Sequence, residues 1–473
     1  MVATGGNGKG LWERIAGHGI FYATELIARL PEKMLFNLVE PRLRESLPWP
    51  EGADFTVRII KLLHRHWNSF HPHVRRRFVE NIFGNIMLYG GEKRRRLSAR
   101  LGDYPTIMVI SPTMKCNLRC TGCYSYNYDR QDAISTERLD ELYSECEQLG
   151  IQFIVVSGGE PYIRPDTLEL FAAHPNLHFL TYTNGTIIAD RNLAPRLAEL
   201  GNVVPCVSVE GFEKETDQRR GKGTHRKIRR AMLQMKEAGM LFGFSATPMR
   251  HNNELLCSDS FIEYYQDLGC RIGWYFSYMP VGRDPDLELM PTPAQRLHRF
   301  HRIRAIRDQY DILAADFWCD GTLVGGCMSA GRTYFHVNAA GGVEPCVFHQ
   351  FSVDNINDKP LIDCLDSDYF RYIRGRLRDV ENPLRPCPII DNPYLLREFI
   401  DRFHPRPSQS GGDALLRGQL AAGLDRYAAE LKKVFDPVFE QIRERAPWPP
   451  EPLGTIEEKQ AYWAGLRAGK KHA

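Results

Sequence analysis

The sequence predicts an α/β protein, a parallel sheet whose strands alternate with helices that cover it. Two observations carry this. Six short apolar runs, Thr106–Ile110, Phe153–Val156, His178–Tyr182, Val203–Val209, Phe242–Thr247 and Ile272–Tyr278, show little polar alternation, as strands buried on both faces do. Amphipathic patterns near 136–149, 167–173, 192–200, 225–239, 259–268 and 292–309 read as the intervening helices. The first helix shows the logic. Ser135 is an N-cap residue, and Leu139, Leu142, Cys146 and Leu149 recur at i, i+3, i+7 and i+10 as one buried stripe.

The chain has 473 residues, enough for two to four folding units. Hydrophobic residues at 43% and charged residues at 25% suit a globular protein with a full core, and exclude collagen-like, mucin-like and disordered classes. A net charge of +3, from 61 basic and 58 acidic residues, is no polycation, and no nucleic-acid partner is expected. No run approaches the roughly 18 apolar residues of a transmembrane helix. The opening MVATGGNGKG lacks the apolar core of an export signal, so a cytoplasmic location is expected. GGNGKG at 5–10 lacks the spacing and the preceding strand of a phosphate loop and reads as a terminus.

The flanks divide the chain further. Residues 1–103 read as a basic amphipathic helical region, in which 51–103 carry 11 Lys/Arg against 5 Asp/Glu with Trp67, Phe70 and Phe78 interleaved. Such helices can lie peripherally on the inner face of a membrane, or form a solvated cap on the core. Residues 401–473 read as a linker, HPRPSQSGG at 404–412, and a helical tail interrupted by PWPPEP at 447–452.

Cysteine is the informative residue. In an unexported chain the twelve cysteines are expected to be thiols rather than disulfides. Cys146, Cys206, Cys257 and Cys270 are scattered and read as small core hydrophobes, as does Cys364. Cys116, Cys120 and Cys123 are different, being three thiols in eight residues on a loop just after an apolar run. A closed zinc site needs four ligands, usually two pairs, and no second C-x2-C exists. Three ligands on one loop suit three irons of a cubane and leave the fourth iron open.

The segment KCNLRCTGCYS resembles the cluster loop of the radical S-adenosylmethionine (SAM) superfamily. The resemblance implies a core over 104–310 built as a partial (β/α)6 TIM-like barrel, with its site at the C-terminal strand ends. It implies a [4Fe-4S] cluster on Cys116, Cys120 and Cys123, SAM chelated by the open iron, and reductive cleavage to methionine and a 5′-deoxyadenosyl radical. A reductant such as flavodoxin or ferredoxin is then a partner. SGGEP at 157–161 resembles the glycine-rich motif at the SAM ammonium, which assigns Gly158, Gly159, Glu160 and Pro161 to the cofactor, although paired glycines also make plain tight turns. Thr183-Asn184-Gly185 and Ser208-Val209-Glu210-Gly211 resemble motifs lining the SAM pocket, which adds Asn184 and Ser208, with Glu210 in place of the usual Asp. Arg220-Gly221 resembles a following RG step. The residue before the third cysteine, commonly aromatic in this family, is Gly122; either Tyr124 compensates or backbone holds the adenine.

Residues 311–400 resemble the SPASM/twitch extension that follows many such cores. Cys327, the Gly341-Gly342 pair and Pro345-Cys346 match its opening, and the closing C-x2-C is reduced to Cys387. Cys319, Cys327, Cys346 and Cys387 are therefore expected to hold one auxiliary cluster, a second [4Fe-4S]. The whole reads as a radical SAM enzyme that functionalises a C–H bond of a lipid or isoprenoid, or adds the radical to it, a substrate class suggested by the basic aromatic N-terminal region and Gly122. Two alternatives stand beside it, a maturase acting on a peptide or protein side chain and a non-enzymatic zinc or Fe–S binding protein. No catalytic residue beyond the cofactor and metal set is assigned.

Overall fold

Short apolar runs rich in β-branched residues form strands here because helices bury both faces of the sheet. The structure, a computed structural model, describes residues 21, 24–25, 28–46, 50–89 and 91–445. The glycine-rich segment at 5–10, most of residues 11–30 and the PWPPEP segment at 447–452 lie outside them. The expected strands are β1 Ile107–Ile110, β2 Phe153–Val156, β3 His178–Thr183, β4 Val203–Val209, β5 Gly243–Ala246 and β6 Ile272–Tyr275. They pair in parallel and in chain order, with Met108 opposite Ile154 and Val155 opposite Leu180.

The connecting helices include Thr136–Leu149, Thr224–Glu237 and Pro293–Gln309. The first is capped by the Ser135 hydroxyl, which accepts from Arg138 N at 3.1 Å, and stops at Gly150 with φ 82°. Its stripe of Leu139, Leu142 and Cys146 is buried, and Cys146 Sγ lies 3.7 Å from Met108 Sδ of β1. Thr292 and Gln295 form a capping box on the last helix.

Further strands follow. β7, Leu313–Asp316, pairs with β6; its LAAD sequence carries no strand periodicity. β8, Tyr334–Val337, joins the opposite edge in parallel with β1, and β9, Gly342–Glu344, turns back along it. Among the described residues the order is Asp354–Asn355, β9, β8, β1 to β7. Laid flat, β7 and β8 would stand seven strand spacings apart, about 34 Å at 4.8 Å each. Yet the rings of Phe317, just past β7, and Tyr334 of β8 have centroids only 5.7 Å apart. The sheet therefore curls into a partial barrel whose mouth is bridged by residues from the extension.

The N-terminal helices Pro50–His66 and Pro72–Phe78 close the other end. Leu62, Leu63, Phe70 and Val74 pack on Val204 and Leu241, with Phe78 against the same cluster, and Trp67 is buried as well. These aromatics are not available to a lipid interface. The arginine runs are internally paired too, Arg75 with Glu25, Arg77 with Glu80, and Arg95 and Arg96 with Glu92. The described helices 50–66 and 72–78 thus pack on the core. Among the described residues no helix is long and apolar enough to cross a membrane.

Candidate radical SAM site

The loop from 111 to 135 leaves β1 at its C-terminal end. Its base is tied by the Thr113–Ala133 bridge and its tip to three other strand ends. Asn184, past β3, donates to Asn117 Oδ1 at 2.8 Å and approaches Cys116 Sγ at 3.9 Å. Thr121 and Arg219 exchange backbone and side-chain hydrogen bonds, both at 3.1 Å. Arg283 donates from its backbone N–H to the Cys123 carbonyl at 3.0 Å. These ties fix where the three thiols stand.

Cys116, Cys120 and Cys123 all line one cavity of about 270 Å³ inside the curled sheet. Gly158, Gly159, Asn184, Ser208 and Tyr124 line it as well. Glu160 and Pro161 do not. Glu160 is buried behind the wall, where its carboxylate accepts from Thr183 Oγ1 at 2.7 Å and from Asn184 N at 2.8 Å. It shapes the end of β3 rather than touching the cavity, because the strand-end turn aims it sideways toward β3. The glycines also have a structural reason. A Cβ on Gly159 would lie 2.0 Å from the Lys115 carbonyl, and Gly158 has φ +97°. This turn packs directly on the cluster loop, with Gly159 N donating to Thr113 O and Glu160 N to Lys115 O, each at 2.9 Å.

Sequence reasoning missed Tyr278. Gly122 has φ +62°, and a Cβ there would lie 2.8 Å from Tyr278 Cε2. The aromatic ring beside the third cysteine comes from beyond β6 rather than from the loop itself. Tyr124 lines the cavity, but its ring packs edge-on against Phe348, 5.4 Å between centroids, and burial pushes its hydroxyl up to about 12. The only signal for Tyr278 was a cluster of aromatics at a strand end.

The charges favour an anionic group at the loop. Glu210 accepts from Arg219 Nη1 at 2.6 Å and from Arg220 Nε at 2.8 Å. Burial works against the Arg220 charge, yet Glu210 with Cys120 and Cys123 holds it above its ordinary value. Burial raises the Cys116 thiol to about 11, opposed by the Leu118 N–H. Three thiols on a pinned loop with two guanidiniums beside them fit a negatively charged cluster ligated through three sulfurs. Among the described residues no three His, Cys, Asp or Glu side chains could hold a single metal ion; that is the grouping zinc needs, whereas a cubane takes one thiolate per iron.

The extension brings Cys327, Cys346 and Cys387 to a second, smaller cavity. Cys319, expected with them, is elsewhere. It is buried among Phe300, Leu384, Leu431, Phe435 and Phe439, because the turn after β7 directs it toward the C-terminal helix Gly418–Arg445. The extension is also wired to the core. Glu344 of β9 pairs with His336 Nδ1 of β8 at 2.5 Å, His336 Nε2 meets Ser111 Oγ at 2.8 Å, and Ser111 reaches Ser157 at 3.3 Å.

Family models for the radical SAM superfamily and for the SPASM iron–sulfur cluster-binding domain match residues 110–254 and 327–388. The mycofactocin maturase MftC of Mycobacterium ulcerans is 30% identical over 261 residues, 52% of this chain and 69% of that protein.

The chain belongs to the radical SAM superfamily.

It is a radical SAM enzyme with a SPASM domain, and with those come a [4Fe-4S] cluster, SAM and additional iron–sulfur content. Fe-coproporphyrin III synthase of Methanosarcina barkeri is 33% identical over 155 residues, 32% of this chain but only 39% of that relative. The solved structure of Streptococcus suis SuiB bound to S-adenosylmethionine superposes with a TM-score of 0.52 at 18% identity, covering 62% of this chain and 73% of SuiB. At that identity it is a likeness of fold.

Proposed function

We propose that this radical SAM enzyme holds its cluster on Cys116, Cys120 and Cys123 and acts on an apolar substrate, or an apolar substituent, of the lipid or isoprenoid type. The observation that carries the substrate class is the cavity wall. Below the cysteines it is made of Ile107, Val109, Val155, Leu180, Trp274 and Phe276, and the charged side chains among its lining residues are three guanidiniums, those of Arg130, Arg219 and Arg220. A charged group set against those six apolar side chains would find no polar partner among them, whereas apolar surface gains about 25 cal/mol per Å² removed from water.

The bound cluster and SAM supply one chemistry, a 5′-deoxyadenosyl radical that abstracts hydrogen or adds to the substrate. The chain's own residues do the rest. The Gly158–Gly159 turn, Asn184 and Ser208 would orient SAM, and Tyr278 would stand at the adenine beside Gly122. Arg219 and Arg220 place positive charge beside the thiolates. Tyr124 packs on Phe348, and both line the cavity together with Phe317, where their rings would help to exclude water. The electron is proposed to come from a flavodoxin or ferredoxin.

The second reading, modification of a peptide side chain, is favoured by the likeness to a mycofactocin maturase. Anaerobic protein with SAM and dithionite is challenged with organic and aqueous extracts of cells lacking it. Stimulated 5′-deoxyadenosine with the organic fraction, and a mass change in one of its components, is expected. Stimulation by the peptide fraction alone replaces the first reading by the second.

A further inference from the structure

Resting on the reading of this chain as a radical SAM enzyme with an auxiliary cluster, we propose that this cluster is held by only three thiolates, Cys327, Cys346 and Cys387. Its fourth corner would then be left open to a small anionic ligand from outside the chain.

All twelve cysteines lie in the described residues, so the supply of sulfur can be counted. Three are on the radical SAM loop. Cys146, Cys206, Cys257, Cys270 and Cys364 are buried in the apolar core. Cys319 is the only other one, and it sits in a separate apolar cluster where its Sγ approaches the Arg296 carbonyl at 3.9 Å, as a thiol donor does. The remaining three share one small cavity of about 40 Å³.

Their hydrogen bonds mark them as a set. Tyr334 donates its hydroxyl to Cys346 Sγ at 3.0 Å, and Phe348 N does so at 3.4 Å. Ile389 N donates to Cys387 Sγ at 3.4 Å, and Ser329 Oγ lies 3.1 Å from Cys327 Sγ. Donors aimed at sulfur are what cluster thiolates receive. Cys319 has none.

Other groups that could complete the cluster are engaged. His349 lines the cavity, but its Nε2 is paired with the Tyr369 hydroxyl at 2.7 Å and its ring is stacked on Phe399. Asp391 is held by Arg296 at 2.6 Å and accepts from Cys387 N at 3.0 Å. The small cavity adjoins the large one. Phe317, Met328, Tyr334 and Phe348 line both this cavity and the large one, so only their side chains part the two.

The test uses the full chain with Cys116, Cys120 and Cys123 all changed to Ala, reconstituted anaerobically with 57Fe, so that only the auxiliary cluster contributes. About four irons per chain are expected, with one Mössbauer site distinct from the other three. Sodium cyanide, the probe ligand, should shift that site and the EPR signal of the reduced cluster. Adding Cys319→Ser should change neither iron content nor spectra. Loss of iron in a Cys319→Ser chain that keeps its circular dichroism overturns the proposal, as does a wild-type-loop-free cluster indifferent to cyanide. Indifference that turns to sensitivity in His349→Gln assigns the corner to histidine instead. Production of 5′-deoxyadenosine by the wild type tests the underlying reading separately.

Discussion

A Cβ on Gly122 would stand 2.8 Å from Cε2 of Tyr278, inside contact distance. Two residues 156 positions apart thus share one space beside the third cysteine, the glycine giving room that the tyrosine ring takes.

Gly122→Ala should therefore impair SAM cleavage. The substitution meets both the ring and an unfavourable φ of +62°, at a cost of about 1–3 kcal/mol. That corresponds to roughly a five- to 150-fold loss in 5′-deoxyadenosine formation if the strain falls on the bound state. Combining it with Tyr278→Ala should recover SAM affinity toward that of Tyr278→Ala alone. Two independent losses that simply add would show that the two residues are not coupled.

Changing Cys116, Cys120 or Cys123 to Ala should abolish SAM cleavage and spare the auxiliary site. Iron should fall from about eight to about four per chain. Iron analysis and 5′-deoxyadenosine by chromatography check both halves.

Glu160→Ala should act through position rather than contact. It strands the Thr183 hydroxyl and the Asn184 N–H, each within 2.8 Å of the carboxylate, and should cost about 1–3 kcal/mol of stability. Because Asn184 reaches toward Cys116, cluster occupancy should fall as well. An unchanged melting temperature and full iron content would refute this role.

Acid should destabilise the apo-protein through His178. Burial against Phe78 and Phe153 lowers its pKa from 6.5 to about 4. The unfolded chain binds the proton and the folded one refuses it, so stability falls as pH drops from about 6.5 to about 4 and levels off below. The drop is on the order of 3 kcal/mol. In His178→Phe the melting temperature should decline less steeply over that window. Equal slopes for the two proteins would rule the assignment out.

The amino-acid sequence by itself determined the six strand–helix repeats and the first three ligand candidates, because local patterns specify them. An apolar run between capped helices can only be a buried strand, and three cysteines in eight residues need no folding to be near one another. The same holds for Cys146, whose place on a helical stripe fixed its burial.

Tertiary structure decided what depends on approach between distant segments. β7 is a strand because β6 offers it an edge, although LAAD has no strand period. Cys319 and Cys327 are eight residues apart, yet the first is buried in an apolar cluster and the second lines the small cavity, since the chain turns away from β7 between them. Glu160 faces β3 instead of the cavity, and Tyr278 fills the room beside Gly122. Direction of a side chain is set by the curl of the sheet, a property no stretch of sequence holds alone.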